Sequence, residues 1–189
     1  MLAGDALTGV LPAVARLRIA VFRDWPYLYD GSEKYERQYL QTYARAPGAA
    51  IAVARDGGNV VGASTCVPMV HAQAEVTFCF TQAGLDPAAH LYFGESVLLA
   101  PYRGRGLGVA FFAAREAHAR GLGLPNTAFC AVQRPADHPL RPSGDQGLAA
   151  FWTHRGYTAR PDLVCRMSWQ DIGEPTETEK TLMFWTRAL

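Results

Sequence analysis

The sequence predicts a single soluble globular domain of the α/β (α+β) class. Its 189 residues, of which 49% are hydrophobic, are enough to bury one full core. Runs with apolar residues at helical spacing alternate with short β-rich runs along the chain. Because no internal repeat, low-complexity block or long linker interrupts this alternation, we assign residues 1–189 to one domain.

The first third of the chain predicts two helices and a hairpin. Apolar spacing indicates a helix over 11–22, and a second helix over 32–46 follows an aromatic loop at 23–31. The second helix places tyrosines four residues apart on one face, at Tyr35, Tyr39 and Tyr43. Two β-rich runs within 49–67, joined by a glycine-containing turn at 56–59, predict the hairpin.

The rest of the chain continues the alternation. Residues 71–83 are ambiguous, and "LYFGESVLLA" (91–100) predicts a central strand. A glycine-rich segment then leads into a helix, whose docking face we expect to contain Leu107, Ala110, Phe111, Ala114 and Ala117. The later predicted elements are a strand at 127–132, a short helix at 147–156, and closing strands near 162–169 and 180–187.

The last predicted strand is apolar on both of its alternating faces. It contains Leu182, Met183, Phe184 and Trp185 in succession. Burial on two sides is explained either by a homodimer through this strand or by an internal position in the sheet. Both interpretations stay open at this point.

The charge balance excludes several classes of partner. Eighteen Lys and Arg residues against seventeen Asp and Glu residues leave a formal net charge of +1. No overall field therefore attracts nucleic acid or an anionic membrane. The N-terminus lacks the pattern of a secretory leader, and no apolar run reaches spanning length. We predict a cytoplasmic protein without a nucleic-acid or membrane partner, in which any anion site is local.

The cysteines and histidines predict neither disulfides nor a metal site. The four cysteines are far apart and form no CxxC pair: Cys66, Cys79, Cys130 and Cys165. We therefore expect free, mostly buried thiols in a reducing compartment. The five histidines show no ligand spacing such as HExxH, so we expect no metal.

The segment "LLAPYRGRGLGVAFF" (98–112) carries the densest chemistry in the chain. It places three glycines and two arginines between an apolar strand and a helix. The first amides of a helix lack internal partners and lie at the positive end of its dipole, while glycines allow a bulky anion to approach the backbone. Arg103 and Arg105 add charge-assisted hydrogen bonds. The segment therefore predicts a phosphate-binding site.

Two common phosphate-binding motifs fit this segment poorly. A Walker A loop needs a lysine followed by Ser or Thr, and neither is present. A dinucleotide-binding fingerprint needs a glycine where Val109 stands, and it normally opens its fold instead of following several strands.

A third phosphate-binding motif fits the spacing of the residues in this segment. Arg103, Gly106 and Gly108 follow the order Arg-x-x-Gly-x-Gly, after a strand that ends with a proline at position 101. This pattern resembles the pyrophosphate loop of the GNAT superfamily of acyl-CoA N-acyltransferases, with the proline displaced by one position. "AAFWTHRGY" (149–157) is similar to the late helix of that family. The order of elements from about residue 49 to the last strand also agrees.

The resemblance implies a fold, a cofactor and an activity. The fold is a central mixed, mostly antiparallel sheet, splayed at the acyl-CoA site and flanked by helices. Acetyl-CoA is the implied co-substrate, and its acetyl group passes to a primary amine of a small molecule or peptide by direct attack in a ternary complex. The implied cofactor-binding residues are Val97, Leu98, Arg103, Gly104, Arg105, Gly106, Leu107, Gly108 and Val109.

Acyl transfer requires a neutral amine, so a base or a water chain must remove a proton near neutral pH. Glu95 is the first candidate, because it lies on the predicted central strand about one pantetheine length upstream of the loop. Burial in a cleft can raise the pKa of such a carboxyl towards ~6 to 7. The alternative is a structural ion pair with an arginine. His138, in "RPADHPLRP", is the second candidate, and its alternative is a solvated loop histidine.

The sequence departs from the family at the general acid. Trp152 stands where many members carry a tyrosine, and we expect it to pack without an acid role. Tyr157 is kept as a catalytic candidate, although it also matches a packing aromatic of the family. The free pKa of a thiol is about 8.5, so departure of the thiolate needs only modest help. Cys130 lies in an apolar run and is interpreted as inert.

The segment 22–43 contains five of the eight tyrosines. The family resemblance implies that this segment forms the lid of the acceptor pocket. Aromatic rings and carboxylates suit an ammonium group. The predicted substrate-binding residues are Trp25, Tyr27, Tyr29 and Asp30, and the alternative is that they pack or face solvent. Two other functions stay open, a non-catalytic acyl-CoA binding or sensing module and a nucleotide-binding interaction domain.

Overall fold

A computed structural model describes the whole chain, residues 1–189. The helices are α1 (Leu11–Phe22), α2 (Glu33–Arg45), α3 (Ala74–Gln82), α4 (Leu107–Gly121) and α5 (Ala149–His154). The strands are β1 (Leu2–Ala3), β2 (Ala50–Asp56), β3 (Asn59–Pro68), β4 (His90–Tyr92), β5 (Ser96–Leu98), β6 (Asn126–Val132), β7 (Thr158–Gln170) and β8 (Glu177–Ala188).

The strands form one eight-stranded sheet in the order β1-β2-β3-β4-β6-β8-β7, and β5 pairs with β3 beyond the end of β4. Every pair is antiparallel except β4 with β6, which is parallel. Helices flank this sheet, so the mixed, mostly antiparallel fold class predicted from the sequence is confirmed.

The sheet separates two clusters of buried side chains. The larger cluster joins α1, α2 and α3 to one face and includes Leu17, Leu40 and Phe80. The smaller cluster joins α4 and α5 to the other face, around Phe112 and Tyr157. The two faces therefore present different surroundings to the strands between them.

The predicted docking face of α4 is partly wrong. The buried residues of this helix are Phe111, Phe112, Arg115, Glu116 and Ala119. Arg115 and Glu116 lie on that face instead of the predicted alanines, because each charged side chain has an interaction partner inside the protein. The Arg115 guanidinium lies 4.0 Å from the ring centre of Phe93, and Glu116 accepts hydrogen bonds from Arg155 and Arg187. Burial lowers the pKa of Arg115 to about 10.

The apolar closing strand is internal. β8 lies between β6 and β7, and its two faces belong to different clusters: Leu182 and Phe184 to the larger one, Met183 and Trp185 to the smaller one. This position accounts for the two-sided apolar pattern, and the pattern therefore gives no support to a homodimer. Both closing strands are longer than predicted, and most of the ambiguous segment 71–83 is α3.

Candidate active site at the break in the central strand

The predicted central strand is broken in its middle, because β4 ends at Tyr92 and β5 begins at Ser96. The uninterrupted strand predicted over 91–100 is therefore wrong. The cause is a tight approach of α2 to Gly94. A Cβ atom at this position would lie 2.0 Å from the hydroxyl oxygen of Tyr43 and 2.7 Å from that of Thr65, so only glycine fits.

The break ends the hydrogen bonding to β6, while the hydrogen bonding to β3 continues from β4 to β5. The Phe93 amide still donates to the Ala128 carbonyl of β6 (2.8 Å), but the next amide, that of Gly94, donates to the Thr65 carbonyl of β3 (3.3 Å). Beyond Phe93 the sheet consequently has no hydrogen bonds between β5 and β6. This opening is the splay that the sequence resemblance implied.

The glycine-rich loop follows β5 directly. Gly104 and Gly106 have φ values of +74° and +80°, which side chains other than glycine rarely adopt. The backbone amides from Gly104 to Val109 donate to no backbone carbonyl, and the first amide of the α4 region to do so is that of Ala110, to Gly106 (3.0 Å). A set of free amides thus surrounds the N-terminus of a fifteen-residue helix.

The arginines of the loop are exposed. The Arg103 Nε donates to the Leu98 carbonyl (3.0 Å), which ties the loop to the end of β5, and its guanidinium lies 3.8 Å from the Asp24 carboxylate. The Arg105 guanidinium lies 5.3 Å from the ring centre of Tyr102. Both side chains therefore remain free to reorient towards an anion at the helix N-terminus.

These features fit a pyrophosphate group. An added Cβ at Gly104 or Gly106 would meet nothing within 4 Å, so the space beside the backbone is open. Free amides, a helix dipole and two nearby guanidinium groups all favour negative charge. Val97 is buried in the larger cluster, and the carbonyl of the neighbouring Leu98 accepts the hydrogen bond from Arg103.

Glu95 lies at the break, with its carboxylate inside the molecule on the α1 and α2 face. Its side chain is 2% exposed, and its Oε2 forms an ion pair with Arg18 (2.6 Å) and accepts a hydrogen bond from the Tyr39 hydroxyl (3.1 Å). The same Arg18 donates to the Glu36 carboxylate, which is fully buried. One guanidinium thus lies between two carboxyl groups, so the formal charges of the cluster leave one negative charge in excess.

Two oxygens of this cluster have no partner. They are the Oε1 atoms of Glu36 and Glu95. Burial alone would lower the pKa of Arg18, but the nearby carboxylates, with Glu95 the strongest, raise it well above its ordinary value, so the guanidinium stays charged. Burial, and then the charge of Glu95, raise the pKa of Tyr39, so this hydroxyl stays neutral. The cluster therefore contains a charged guanidinium and a neutral phenol beside its two carboxyl groups.

An open cavity of about 180 Å³ begins at this cluster. Its floor is formed by Glu95, Gly94 and Arg18. Most of its wall is aromatic, contributed by Phe22, Tyr27, Tyr29, Tyr35, Tyr39, Tyr92 and Trp169. Cys130 of β6 also lines it, so the cavity reaches both sides of the splay. The carboxyl group of Glu95 and the opening between the strands therefore border the same cavity.

The aromatic loop 23–31 contributes two of its four predicted substrate-binding residues to this cavity. Tyr27 and Tyr29 line the wall. Trp25 and Asp30 are not among the lining residues: the Trp25 indole donates to Asp145 (2.9 Å), and Asp30 accepts from Arg23 (3.1 Å). The structure thus brings together only the two tyrosines.

A buried ion pair fixes this loop against β7. Arg134 donates to both carboxylate oxygens of Asp171 (2.7 and 2.9 Å) and also to the backbone carbonyls of Pro26 and Tyr27 (2.8 and 2.6 Å). The Lys180 ammonium lies 3.2 Å from the same carboxylate. We call these three charged residues the loop clamp. The aromatic wall is consequently preformed.

Comparison with known proteins agrees with this geometry. The family model described as "Acetyltransferase (GNAT) family" matches residues 15–142, more than half of the chain. The chain belongs to the GNAT family of acyl-CoA-dependent N-acetyltransferases. A search of curated protein sequences found no significant match.

Solved structures of GNAT proteins share the fold at low sequence identity. The ribosomal-protein-alanine N-acetyltransferase from Brucella melitensis has a TM-score of 0.63 and 16% identity, with 96% of this chain and 95% of that chain covered. An acetyltransferase from Thermus thermophilus has a TM-score of 0.59 and 16% identity, with 100% and 96% covered. An aminoglycoside 6'-N-acetyltransferase complexed with coenzyme A has a TM-score of 0.57 and 12% identity, with 94% and 91% covered.

Two residues predicted as catalytic lie apart from the cavity in this GNAT protein. His138 is in the loop between β6 and α5, where its ring packs against Trp25 in a tilted arrangement with 5.2 Å between centres. Tyr157 is 2% exposed and belongs to the smaller cluster, on the face opposite the Glu95 carboxylate. Its hydroxyl contacts Thr127 (2.9 Å) and Glu116 (3.3 Å). We therefore leave both out of the proposed machinery.

Trp152 packs, in agreement with its expected role. Its ring lies 5.1 Å from those of Phe129 and Trp185. All four cysteines are free, and three are buried, as the sequence predicted. Burial raises the pKa of Cys66 to about 12. No group of three or more His, Cys, Asp or Glu side chains is placed to hold a metal ion, and no helix has the length and apolarity needed to cross a bilayer.

Sequence reasoning missed three residues of the site. Arg18, Glu36 and Tyr39 surround Glu95 in the structure, but no motif marks them. A weak signal was present for Arg18, since a charged residue within the apolar run "LPAVARLRIAVF" needs a buried partner. Glu36 lies between two tyrosines of one helix face and carried no comparable signal.

Proposed function

We propose that this protein is an N-acetyltransferase that transfers the acetyl group of acetyl-CoA to a primary amine by direct attack in a ternary complex. The observation that carries the proposal is that two features meet at one break: the loop with free amides follows β5, and Glu95 lines the start of the cavity with a buried carboxyl group whose Oε1 has no hydrogen-bond partner. We further propose that residues 1–189 act as one domain in the cytoplasm, where free thiols persist.

The loop supports the cofactor half of this proposal. The amides of Gly104 to Val109 would bind the pyrophosphate, with Arg103 and Arg105 adding charge-assisted hydrogen bonds. Glu95 and the loop are separated only by the three residues of β5, Leu99 and a 3₁₀ turn at Ala100–Tyr102, so the loop and the break lie on one short segment. The backbone of Val97 and Leu98 would contact the pantetheine arm beside the splay.

Glu95 supports the catalytic half. Its Oε1 would accept a proton from the acceptor ammonium, directly or through a water, as the amine nitrogen forms its bond to the thioester carbonyl carbon. Arg18 and Tyr39 hold Oε2, so the carboxylate is oriented before the substrate arrives. The excess negative charge of the Arg18, Glu36 and Glu95 cluster favours a cationic group at this place.

The remaining step is cleavage of the carbon–sulfur bond. The CoA sulfur leaves with its electron pair and is protonated from solvent or by the proton that the amine has lost. Because the free pKa of a thiol is about 8.5, the thiolate is a good leaving group without a dedicated acid. This agrees with the packing position of Trp152 and with the distance of Tyr157 from the cavity face.

The test is release of free CoA thiol from acetyl-CoA in the presence of a mixture of primary amines, with mass spectrometry of the acetylated product. An N-acetyltransferase releases thiol only when an amine is present. Stabilisation by CoA without thiol release would indicate a sensing module. Stronger stabilisation by ATP than by CoA would indicate a nucleotide-binding domain. Either of these results contradicts the proposal.

A further inference from the structure

The acceptor cavity has a size and a lining that restrict its substrate. Its volume is about 180 Å³. For comparison, an apolar cavity of about 150 Å³ in a protein core holds a benzene molecule. One six-membered ring with a short arm therefore fills the cavity, whereas several linked rings would extend out of it into solvent.

The wall of the cavity presents aromatic rings to a substrate, and several of its hydroxyl groups already have partners within the protein. The Tyr39 hydroxyl contacts Tyr43 (3.0 Å) and Glu95 (3.1 Å), and the Tyr92 hydroxyl contacts the Cys130 sulfur (3.2 Å). These polar groups are already used within the protein. Ten of the sixteen lining residues are hydrophobic, so a polyhydroxylated substrate would lose hydrogen bonds to water without replacing them.

The rings of the wall are neutral and form a continuous surface. Tyr27 lies 4.4 Å from Phe22 and 5.8 Å from Trp169, measured between ring centres. Burial raises the pKa of Tyr27 and of Tyr29 well above the ordinary value of tyrosine, so neither ring carries charge at neutral pH. Such a surface favours a flat apolar group.

The charge in the cavity is concentrated at its floor. The unpartnered Oε1 of Glu95 and the excess negative charge of its cluster lie there, beside the splay. The other acidic lining residue, Glu75, is exposed at the start of α3. An ammonium group would therefore bind at the floor while an apolar body contacts the aromatic wall.

From this arrangement we infer that the acceptor is a compact primary amine with a single flat apolar group, the arylalkylamine class, and that the aromatic wall selects it. This inference rests on the proposed function and names the substrate class of the same site. Linked amino sugars would place most of their rings outside the aromatic wall, and a simple aliphatic amine leaves that wall without a partner.

The experiment compares kcat/KM for 2-phenylethylamine, ethylamine, 1,4-diaminobutane, kanamycin and a short peptide with an N-terminal alanine. We expect 2-phenylethylamine to exceed every other amine by at least ~10-fold, because burial of one aromatic ring is worth about 1.5–3 kcal/mol. A preference for kanamycin, the peptide or the diamine overturns the substrate class but leaves the proposed function standing. Absence of thiol release with every amine overturns both.

A variant pair links the preference to the cavity. Met167 lines the cavity on β7, whereas Val164 of the same strand is 44% exposed outside it. Met167→Trp should lower the ratio of kcat/KM for 2-phenylethylamine to that for ethylamine by ~10-fold, and the control Val164→Trp should leave the ratio unchanged. Equal ratios in the two variants would overturn the inference. If Met167→Trp does not fold, the amine series on the unmodified protein still decides.

Discussion

The loop that follows β5 and the cavity beside α1 are built in opposite ways. The loop uses the backbone of contiguous residues, 103–109, and its free amides need no distant partner. The cavity uses side chains from elements between Arg18 and Leu182, held by buried charges and ring contacts. A backbone site of this kind is visible in the sequence, whereas a side-chain site appears only after folding. The two sites should consequently fail in different ways when mutated.

The largest expected effect comes from the residue where the two regions meet. Glu95→Gln keeps the shape of the side chain but removes the base, so turnover should fall by ~10²-fold or more. CoA affinity should stay nearly unchanged, because the loop does not contact this side chain. Steady-state kinetics and calorimetric titration with CoA measure the two quantities. Glu179→Gln, on an exposed part of β8, is the matched control. Turnover like that of the unmodified protein would assign proton removal to water.

The second effect tests the backbone site alone. Gly106→Val introduces a side chain at φ +80°, next to the free amides, and should weaken CoA binding by ~30-fold or more. Gly57→Val places the same strain, at φ +54°, in the turn between β2 and β3. Both variants should lose similar thermal stability, but only Gly106→Val should lose the stabilisation by CoA. Equal loss of CoA binding in both would mean that strain, and not the site, is responsible.

The third effect tests the acceptor wall. Asp171→Asn removes the charge that holds Arg134, which should loosen the loop carrying Tyr27 and raise the KM for the amine by ~10-fold. CoA affinity should not change. Asp162→Asn, in an exposed ion pair on the same strand, is the control. If CoA affinity changed while the KM for the amine did not, the loop and the cavity would not act as independent sites, and the prediction would be wrong.

The loop clamp also predicts a pH dependence of stability. Burial alone would raise the pKa of Asp171, but Arg134 and Lys180 lower it below its ordinary value. A lowered pKa in the folded state contributes stability above the unfolded pKa, and this contribution is lost as the pH falls through the folded pKa. The unmodified protein should exceed Asp171→Asn by about 2 kcal/mol at pH 7, and by progressively less below about pH 4. Chemical denaturation across this range measures the difference; a constant difference would contradict the assignment.

The smallest effect concerns the exposed charge of the loop. Arg103→Ala should weaken CoA binding by ~3-fold at low salt and by less at high salt, because the side chain is exposed and its interactions are screened. Arg166→Ala, another exposed arginine, should have no effect on CoA affinity at either salt concentration. A loss that is independent of salt would indicate that Arg103 acts by packing.

The loop and the cavity also differ in how much of each could be predicted from the sequence. The loop could be predicted because its motif needs a fixed spacing along the chain, which Arg103, Gly106 and Gly108 have. The break at Gly94 was missed because it depends on the Tyr43 hydroxyl, fifty-one positions away, and strand propensity continues through it. The pairing of Glu95 with Arg18 was stated only as an alternative, since the sequence cannot show which arginine is near.

The same reasoning explains the errors in the fold. The buried face of α4 was misjudged because Arg115 and Glu116 are normally solvent residues, and their partners come from distant elements. The apolar segment of β8 was correctly identified as buried on two sides, but only the strand order showed that its neighbours are β6 and β7. Local patterns thus predicted element types, while long-range pairing decided the site.

The most direct test of the central claim is initial-velocity kinetics with acetyl-CoA and 2-phenylethylamine varied together, using any active amine if this one is not turned over. Direct transfer across the break requires both substrates to be bound at once, so double-reciprocal plots should intersect. Parallel lines would indicate a covalent acyl-enzyme, for which Cys130 on the cavity wall is the available nucleophile. That result would contradict an account in which the loop and the cavity present their substrates to each other at Glu95.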